Sequence, residues 1–392
     1  MSTNSTSLAH SDRIHDELVQ DIRSWDEESE HRTGTDGDRR TSEALVERLV
    51  NVEVSARIVD FPFQRRVPVD CFVEVSGDRI EGIPLFDGGE TDGILEASLV
   101  NCGENGPIGF GQAGASGGPD NFQLLKHRNG NTHQALIGIA RSATPGIAML
   151  NADSFTQPFG VSVLIVDGAH EQQLLAGAET NAVVRLNVSF DIEQSSATNV
   201  EVRIKGQRTD LDPLVVMTPK SSWWTSTAER CGGITAWLAC IRELARNQPD
   251  RDVIFTANTG HELGHVGLEY FLDQNAGLAR NAHAWVHLGA NFASTGCQIR
   301  MQYSNERLRA SFDKHLTEHE VQIAGEVSGD TRPGGEARNI FDAGGHYVSM
   351  LGSNRLFHHP DDRMINNVDL LVATRTTKAV MGLVKELSSA KD

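Results

Sequence analysis

The side chains best suited to chemistry lie in the segment His261-Glu262-Leu263-Gly264-His265. In an HExxH motif within a helix, the two histidines share one face and can bind zinc, while the glutamate acts as general base. Here the motif directly follows an apolar run, 253–257, and a turn, Asn258-Thr259-Gly260. It therefore opens a helix, and we expect its side chains at the carboxyl end of a strand, where open α/β sheets place their ligands.

A second motif, Gly109-Phe110-Gly111-Gln112-Ala113-Gly114, matches the dinucleotide-binding pattern GxGxxG. That pattern binds a pyrophosphate only when a strand precedes it and a helix follows it. Pro107 precedes this stretch, and Ala-Ser-Gly-Gly-Pro follows it, which is unfavourable for opening a helix. We therefore expect no nucleotide cofactor, and we predict that the stretch belongs to a long, glycine-rich, flexible surface loop at 103–119.

Composition and charge narrow the classes of partner. The 392 residues include 35 Lys and Arg against 53 Asp and Glu, a formal net charge of −18. Such a charge repels phosphate backbones and anionic lipids, so we expect neither nucleic acid nor a membrane as a partner. No apolar run approaches the ~20 residues that span a bilayer. Five cysteines without a CxxC pair, and an N-terminus without an apolar signal core, predict a reduced, cytoplasmic protein.

The elements that must position these residues change in character along the chain. Apolar residues at helical spacing predict helices at 12–30 and at about 39–51. From about 54 to 200, short β-rich runs alternate with Gly, Asp and Asn turns. Beyond 200, apolar strands alternate with helices. This alternation predicts an α/β sheet with helices on both faces.

Several segments, in the same order along the chain, resemble the M28 family of zinc aminopeptidases. This group also includes glutaminyl cyclases and transferrin-receptor-like proteins. Residues 31–49 are similar to its Arg-x-x-Gly-[Ser/Thr] loop and the helix that follows. Residues 253–272 look like its strand-turn segment EE-x-G-x-x-G, and 357–362 match its Tyr-His-Thr-Pro-x-Asp segment. Residues 130–198 resemble a protease-associated domain inserted into the fold.

The resemblance implies an α/β aminopeptidase-like fold, with a central, mostly parallel, twisted sheet and helices on both faces. This discontinuous domain would comprise residues 8–55 and 199–392. A β-rich, protease-associated-like insert would occupy residues 56–198.

The resemblance also implies a metal site. The family holds two zinc ions with five ligands, in chain order His, a bridging Asp, Glu, Asp and His. The corresponding positions here are Lys220, Glu229, Glu262, Gly289 and His358. An ammonium beside a divalent cation is unfavourable, and glycine offers no side-chain ligand, so a two-zinc site is not expected.

Three of these residues, Glu229, Glu262 and His358, would still hold one divalent metal ion, zinc or manganese. Three protein ligands with an open position are typical of a catalytic zinc site, and the glutaminyl-cyclase branch has a single zinc of this kind. His261 stands where the family has its general-base glutamate and could act as the base, because histidine titrates near neutrality. Glu229 could equally cap the helix that begins near residue 230.

Other residues are candidates for a substrate pocket, although each could serve only in packing or at the surface. They are Trp223, Trp224, His265, His287 and Glu336. Lys220 and Ser222 could form a Ser-Lys nucleophile pair.

Three functions remain open. The first is a hydrolase of an amide or related C–N bond in a small molecule, with one metal ion, rather than an ordinary aminopeptidase. The second is a catalytically inactive M28-like binding or scaffold protein. The third is a metal-free enzyme that reuses the pocket with Lys220, Ser222 and His261. The sequence does not indicate the oligomeric state.

Overall fold

Two separate β-sheets organise the chain, which the computed structural model describes over residues 2–115 and 124–390, with side chains from residue 13 onward. The described strands are β1 (Ala56–Pro68), β2 (Phe72–Val75), β3 (Asp78–Pro84), β4 (Leu95–Asn101), β5 (Ile108–Gly114), β6 (Ala135–Arg141), β7 (Ser162–Val166), β8 (Val183–Asn187), β9 (Phe190–Ile204), β10 (Leu214–Pro219), β11 (Val253–Asn258), β12 (Ala284–Leu288), β13 (Ile299–Tyr303), β14 (Ile323–Val327) and β15 (Tyr347–Leu351).

The α-helices are concentrated at the two ends of the chain and between the strands of the second half. The described helices are α1 (Ser2–Glu27), α2 (Asp36–Glu47), α3 (Glu171–Glu179), α4 (Thr227–Arg246), α5 (Val266–Gln274), α6 (Leu278–Asn281), α7 (Glu306–Glu318), α8 (Ala337–Asp342), α9 (Met364–Asn367) and α10 (Leu370–Leu387). None of these helices is both long and apolar enough to cross a membrane.

The larger sheet has eight strands in the order β1-β9-β11-β10-β12-β15-β13-β14, and four of its seven pairings are parallel. Its central strand β10 is buried on both faces, as its unbroken apolar run favours. Leu214 and Val216 pack into one core with α4 and α10, whereas Val215 and Met217 pack into another with α5 and α8. The structure thus confirms the predicted α/β class with helices on both faces of the sheet.

The second sheet is a closed barrel of seven strands in the order β2-β3-β7-β6-β5-β4-β8. It lies within residues 72–187, inside the predicted insert 56–198. The strands β1 and β9 also fall within that predicted range, but they pair with each other along the edge of the larger sheet, from Ala56 opposite Val202 to Pro68 opposite Phe190. This long antiparallel pair connects the barrel to the larger sheet.

The glycine-rich motif at 109–114 belongs to strand β5, which pairs with β4 and β6. The prediction of a flexible surface loop was therefore wrong for these residues. Its glycines suit a crowded barrel wall, because a Cβ atom at Gly109 would lie only 2.7 Å from the ring of His133. The part of the predicted loop from 116 to 119 lies outside the described residues.

Candidate functional site

The polar residues singled out in the sequence gather at the carboxyl ends of the parallel strands. His261 follows β11, Lys220 follows β10, and His287 lies within β12 near its end. Glu229 lies in the first turn of α4, and His358 lies in the loop after β15. All five are buried. This is the edge at which open α/β sheets place ligands.

Glu229, His261 and His358 form a buried group in which one ligand atom from each residue lies within 4.8 Å of the others. The ring nitrogen Nδ1 of His358 donates to the Met149 carbonyl oxygen at 2.7 Å, so that in the neutral ring the lone pair lies on the other nitrogen, Nε2. This Nε2 lies 3.4 Å from Glu229 Oε1. A carbonyl that fixes the tautomer of a histidine in this way is typical of metal ligands.

Both carboxylate oxygens of Glu229 and Nε2 of His358 lack solvent contact and a hydrogen-bond partner in the described part of the chain, although Oε1 of Glu229 forms an ion pair with Arg230. Unsatisfied buried polar atoms are rare, because each costs about 1–3 kcal/mol. A divalent cation would satisfy all three atoms at once. The donor set of one carboxylate and two imidazoles therefore fits a single metal ion.

A second group joins His261 to a buried carboxylate. Nδ1 of His261 lies 2.7 Å from Glu336 Oε1, and Nε2 of His287 lies 3.0 Å from Glu336 Oε2. Burial alone would raise the pKa of Glu336, but the neighbouring histidines, including His265, outweigh it and hold the pKa well below its usual range. Glu336 thus remains a carboxylate and orients His261.

His265 lies beside this second group, and its ring stacks on His261 with the centroids 5.5 Å apart. Its Nδ1 lies 2.8 Å from Asn339 Oδ1. Burial lowers the pKa of His265 to about 4, so this side chain is neutral near pH 7.

The structure does not bring Glu262 into either group. Its Oε1 accepts hydrogen bonds from the backbone and hydroxyl of Thr33 at 3.2 and 2.7 Å, and its Oε2 accepts one from Ser221 Oγ at 2.6 Å. The chain forms a 3-10 turn over His261–Leu263, between two glycines of positive φ, so successive side chains point in different directions. His261 consequently takes the place beside Glu229 and His358.

Lys220 is turned away from the Glu229 group. Its ammonium forms a buried ion pair with Asp38 at the start of α2, and burial lowers its pKa below the usual range although Asp38 opposes this. The hydroxyl of Ser222 donates to the Trp224 carbonyl oxygen at 2.6 Å. The described contacts therefore do not pair Ser222 with Lys220.

Position 289 has no room for the carboxylate that the family has there. A Cβ atom at Gly289 would lie 2.2 Å from Leu351 Cδ2 and 3.0 Å from His287 Cε1. Gly289 itself offers no side-chain ligand, and the ammonium of Lys220 is engaged by Asp38.

The two tryptophans contact the barrel domain. Trp223 packs against Phe86 with the ring centroids 4.9 Å apart, and Nε1 of Trp224 donates to the Ile147 carbonyl oxygen at 3.1 Å. Their position joins the two parts of the chain, and neither residue contacts the Glu229 group through a described hydrogen bond.

Arg230 is the residue that the sequence reasoning missed. It is fully buried, and its Nη2 lies 2.6 Å from Glu229 Oε1. Burial alone would raise the pKa of Glu229, but Arg230 and His358 outweigh it and lower the pKa to about 2. The only signal in the sequence is a basic residue directly after a candidate ligand.

Asp362 caps helix α4. It accepts hydrogen bonds from the backbone N–H groups of Ala228 and Glu229 at 3.2 and 3.0 Å. The Glu229 side chain therefore does not need to serve as the cap.

A segment of the insert covers the site. The backbone N–H of Met149 donates to the His358 carbonyl oxygen at 3.3 Å, and that of Ala152 donates to the Glu262 carbonyl oxygen at 2.8 Å. Asp153 forms an ion pair with Arg338 at 3.0 Å. This covering segment, residues 149–153, contributes to the burial of the histidines.

Comparison with solved structures places this fold among aminopeptidases. The zinc aminopeptidase BSAP from Bacillus subtilis superposes with a TM-score of 0.73 at 14% identity, covering 95% of each chain. The aminopeptidase from Aneurinibacillus sp. strain AM-1 superposes with a TM-score of 0.70 at 12% sequence identity, and the match covers 96% of this chain and 94% of that aminopeptidase. A peptidase M28 precursor from Shewanella amazonensis SB2B superposes with a TM-score of 0.72 at 12% sequence identity, and the match covers 98% of this chain and 97% of that protein.

At these identities the likeness defines the fold alone, an M28-type aminopeptidase fold. No protein-family model matches the sequence, and no curated protein matches it.

Proposed function

We propose that the protein is a metal-dependent hydrolase that cleaves an amide or related C–N bond in a small molecule, with one divalent ion held by Glu229, His261 and His358. The observation that carries this proposal is that Glu229 Oε2 and His358 Nε2 are buried, face the same small group of side chains and have no hydrogen-bond partner among the described residues. One carboxylate and two imidazoles with an open position are typical of catalytic zinc sites. When bound, zinc would polarise the scissile carbonyl and lower the pKa of a bound water.

The chain's own residues would preorganise this site. Met149 fixes the tautomer of His358, and Glu336 holds His261 by Nδ1, so that the Nε2 atom of each ring is available as a ligand. An ordinary aminopeptidase is not proposed, because Lys220 and Gly289 supply no ligand for a second metal ion. We also infer that the barrel is the protease-associated-like insert expected from the sequence.

Metal analysis of purified variants tests the proposal. We expect about one equivalent of zinc or manganese per chain, and its loss in His358→Ala and Glu229→Gln. The matched control is Glu262→Gln, which should retain the metal because this side chain bonds Thr33 and Ser221 instead. A folded protein without metal would refute the proposal. Loss of metal in Glu262→Gln, with retention in His261→Ala, would restore the ligand set expected from the sequence.

A metal-free binding protein is the second candidate, and one specific observation favours it. Arg230 already places a cation 2.6 Å from Glu229. This contact could neutralise the carboxylate without a metal ion. The same metal analysis separates the two, because a binding protein of this kind would contain no stoichiometric metal and would show no hydrolysis of any amide.

A further inference from the structure

Arg230 has hydrogen-bond donors that the described protein does not use. A guanidinium carries five N–H groups. Among the described residues, its Nε donates to the Ser221 carbonyl oxygen at 2.6 Å. Both Nη atoms are buried and lack a hydrogen-bond partner among the described residues, although Nη2 forms an ion pair with Glu229.

Two carboxylates of the surrounding elements already accept hydrogen bonds from the chain. Asp362 accepts from the N-terminal amides of α4, and Asp38 accepts from Lys220. Ser226, whose carbonyl oxygen accepts from the Arg230 backbone at 3.0 Å, also has a buried hydroxyl without a partner in the described part of the chain. Ser226 and Arg230, one turn apart at the start of α4, thus both carry buried donors without a hydrogen-bond partner among the described residues.

We propose that Arg230 binds a carboxylate of the substrate, so that the substrates are small amides that carry a free carboxylate. This inference rests on the proposed function. A planar guanidinium matches a carboxylate in a bidentate pair, and such charge-assisted hydrogen bonds are stronger than neutral ones. The Nη atoms lack contact with solvent.

The position of Arg230 also limits where the carboxylate lies in the substrate. Nη2 is 2.6 Å from the oxygen of Glu229 that also faces His358. The bound carboxylate would therefore lie close to the scissile carbonyl. N-acyl amino acids have this arrangement, because only the amide nitrogen and one carbon separate their carboxylate from the acyl carbonyl.

Matched acids and amides test the inference. The probes are N-acetylglycine, N-acetylalanine and N-acetylglutamate, each beside its α-carboxamide. We expect the zinc-loaded protein to prefer at least one acid over its amide by about 100-fold in kcat/KM. Arg230→Gln should abolish the preference, and Arg230→Lys should reduce it by about 10-fold, since an ammonium cannot form the bidentate pair. Arg32 serves as the control, because its guanidinium lies over the ring of Phe86. The variant Arg32→Gln should retain the preference for the acid.

Calorimetry on the metal-free protein separates this inference from the proposed function. Binding of an acid to the metal-free protein that depends on Arg230 would support the carboxylate site. If the zinc-loaded protein then hydrolysed none of the probes, the hydrolase would be refuted while the carboxylate site stands. Equal turnover of acids and amides by the wild type, or an unchanged preference in folded Arg230→Gln, would overturn the inference while the hydrolase stands. If Arg230→Gln fails to fold, an unchanged preference in Arg230→Lys overturns it.

Discussion

The buried ion pair between Lys220 and Asp38 gives the sharpest prediction for stability. Both side chains are almost without solvent contact, with relative exposures of 0% and 1%. Asp38 also accepts hydrogen bonds from Thr259 Oγ1 at 2.9 Å and from the backbone N–H groups of Gly34 and Thr198 at 3.1 and 3.2 Å. Lys220, by contrast, has Asp38 as its only carboxylate partner by hydrogen bond among the described residues.

This asymmetry sets the expected order of effects. Asp38→Asn leaves a buried ammonium without a counter-charge and should lower the free energy of unfolding by about 3–5 kcal/mol. Lys220→Met leaves a carboxylate that still accepts three hydrogen bonds, so its cost should be smaller, about 1–3 kcal/mol. The double variant should be more stable than Asp38→Asn alone, since neither charge remains.

Urea unfolding followed by circular dichroism measures these differences. Metal content is a second readout, and Lys220→Met should leave it unchanged because Lys220 points away from the Glu229 group. The reasoning would be refuted if Lys220→Met were the more damaging single change, or if the double variant were no more stable than Asp38→Asn.

Three further outcomes follow from particular contacts. Burial lowers the pKa of His31 from 6.5 to about 3, so between these two pH values the unfolded chain binds a proton that the folded chain does not. The free energy of unfolding should therefore fall by about 1.4 kcal/mol per pH unit as the pH is lowered towards 3. The same dependence of this free energy on pH in His31→Gln would contradict the reasoning. Glu336→Gln should weaken metal binding about 10–100-fold, because His261 would no longer be held in its orientation. Competition with a chelator measures this change in affinity. A metal affinity equal to that of the wild type would show that Glu336 does not orient His261. Gly264→Ala places a Cβ atom 2.6 Å from the Asp153 carbonyl oxygen, at a φ of +75° that favours glycine. This clash should displace residues 149–153, so limited proteolysis should cleave them faster than in the wild type. An equal rate of cleavage would count against the covering role of this segment.

The sequence predicts the layers of this fold well because its signals are local. Apolar strands alternating with helices beyond residue 200 indicate the sheet, and the strand before His261 indicates the edge at which that residue lies. The barrel wall at 109–114 was missed because glycines normally signal loops, and only the packing of His133 shows why Gly109 suits a strand.

The details of the site depend on contacts that are distant in sequence. Glu262 is held by Thr33 from the N-terminal part of the chain, and nothing near Glu262 in the sequence indicates this hydrogen bond. The direction of Lys220 depends in the same way on Asp38. Spacing therefore indicated the edge of the sheet at which Glu229 and His358 lie, but it pointed to Glu262 beside them, where the structure has His261.

The hydrogen bond from His358 to Met149 links the segment between two barrel strands to the proposed metal site. A metal ion that needs His358 in this orientation would favour the docked state of the covering segment. By reciprocity, docking of that segment would raise the affinity for the ion by the same factor by which the ion favours docking. Selection on the barrel, far from the reacting atoms, could thus tune how tightly the site holds its ion without changing a single ligand.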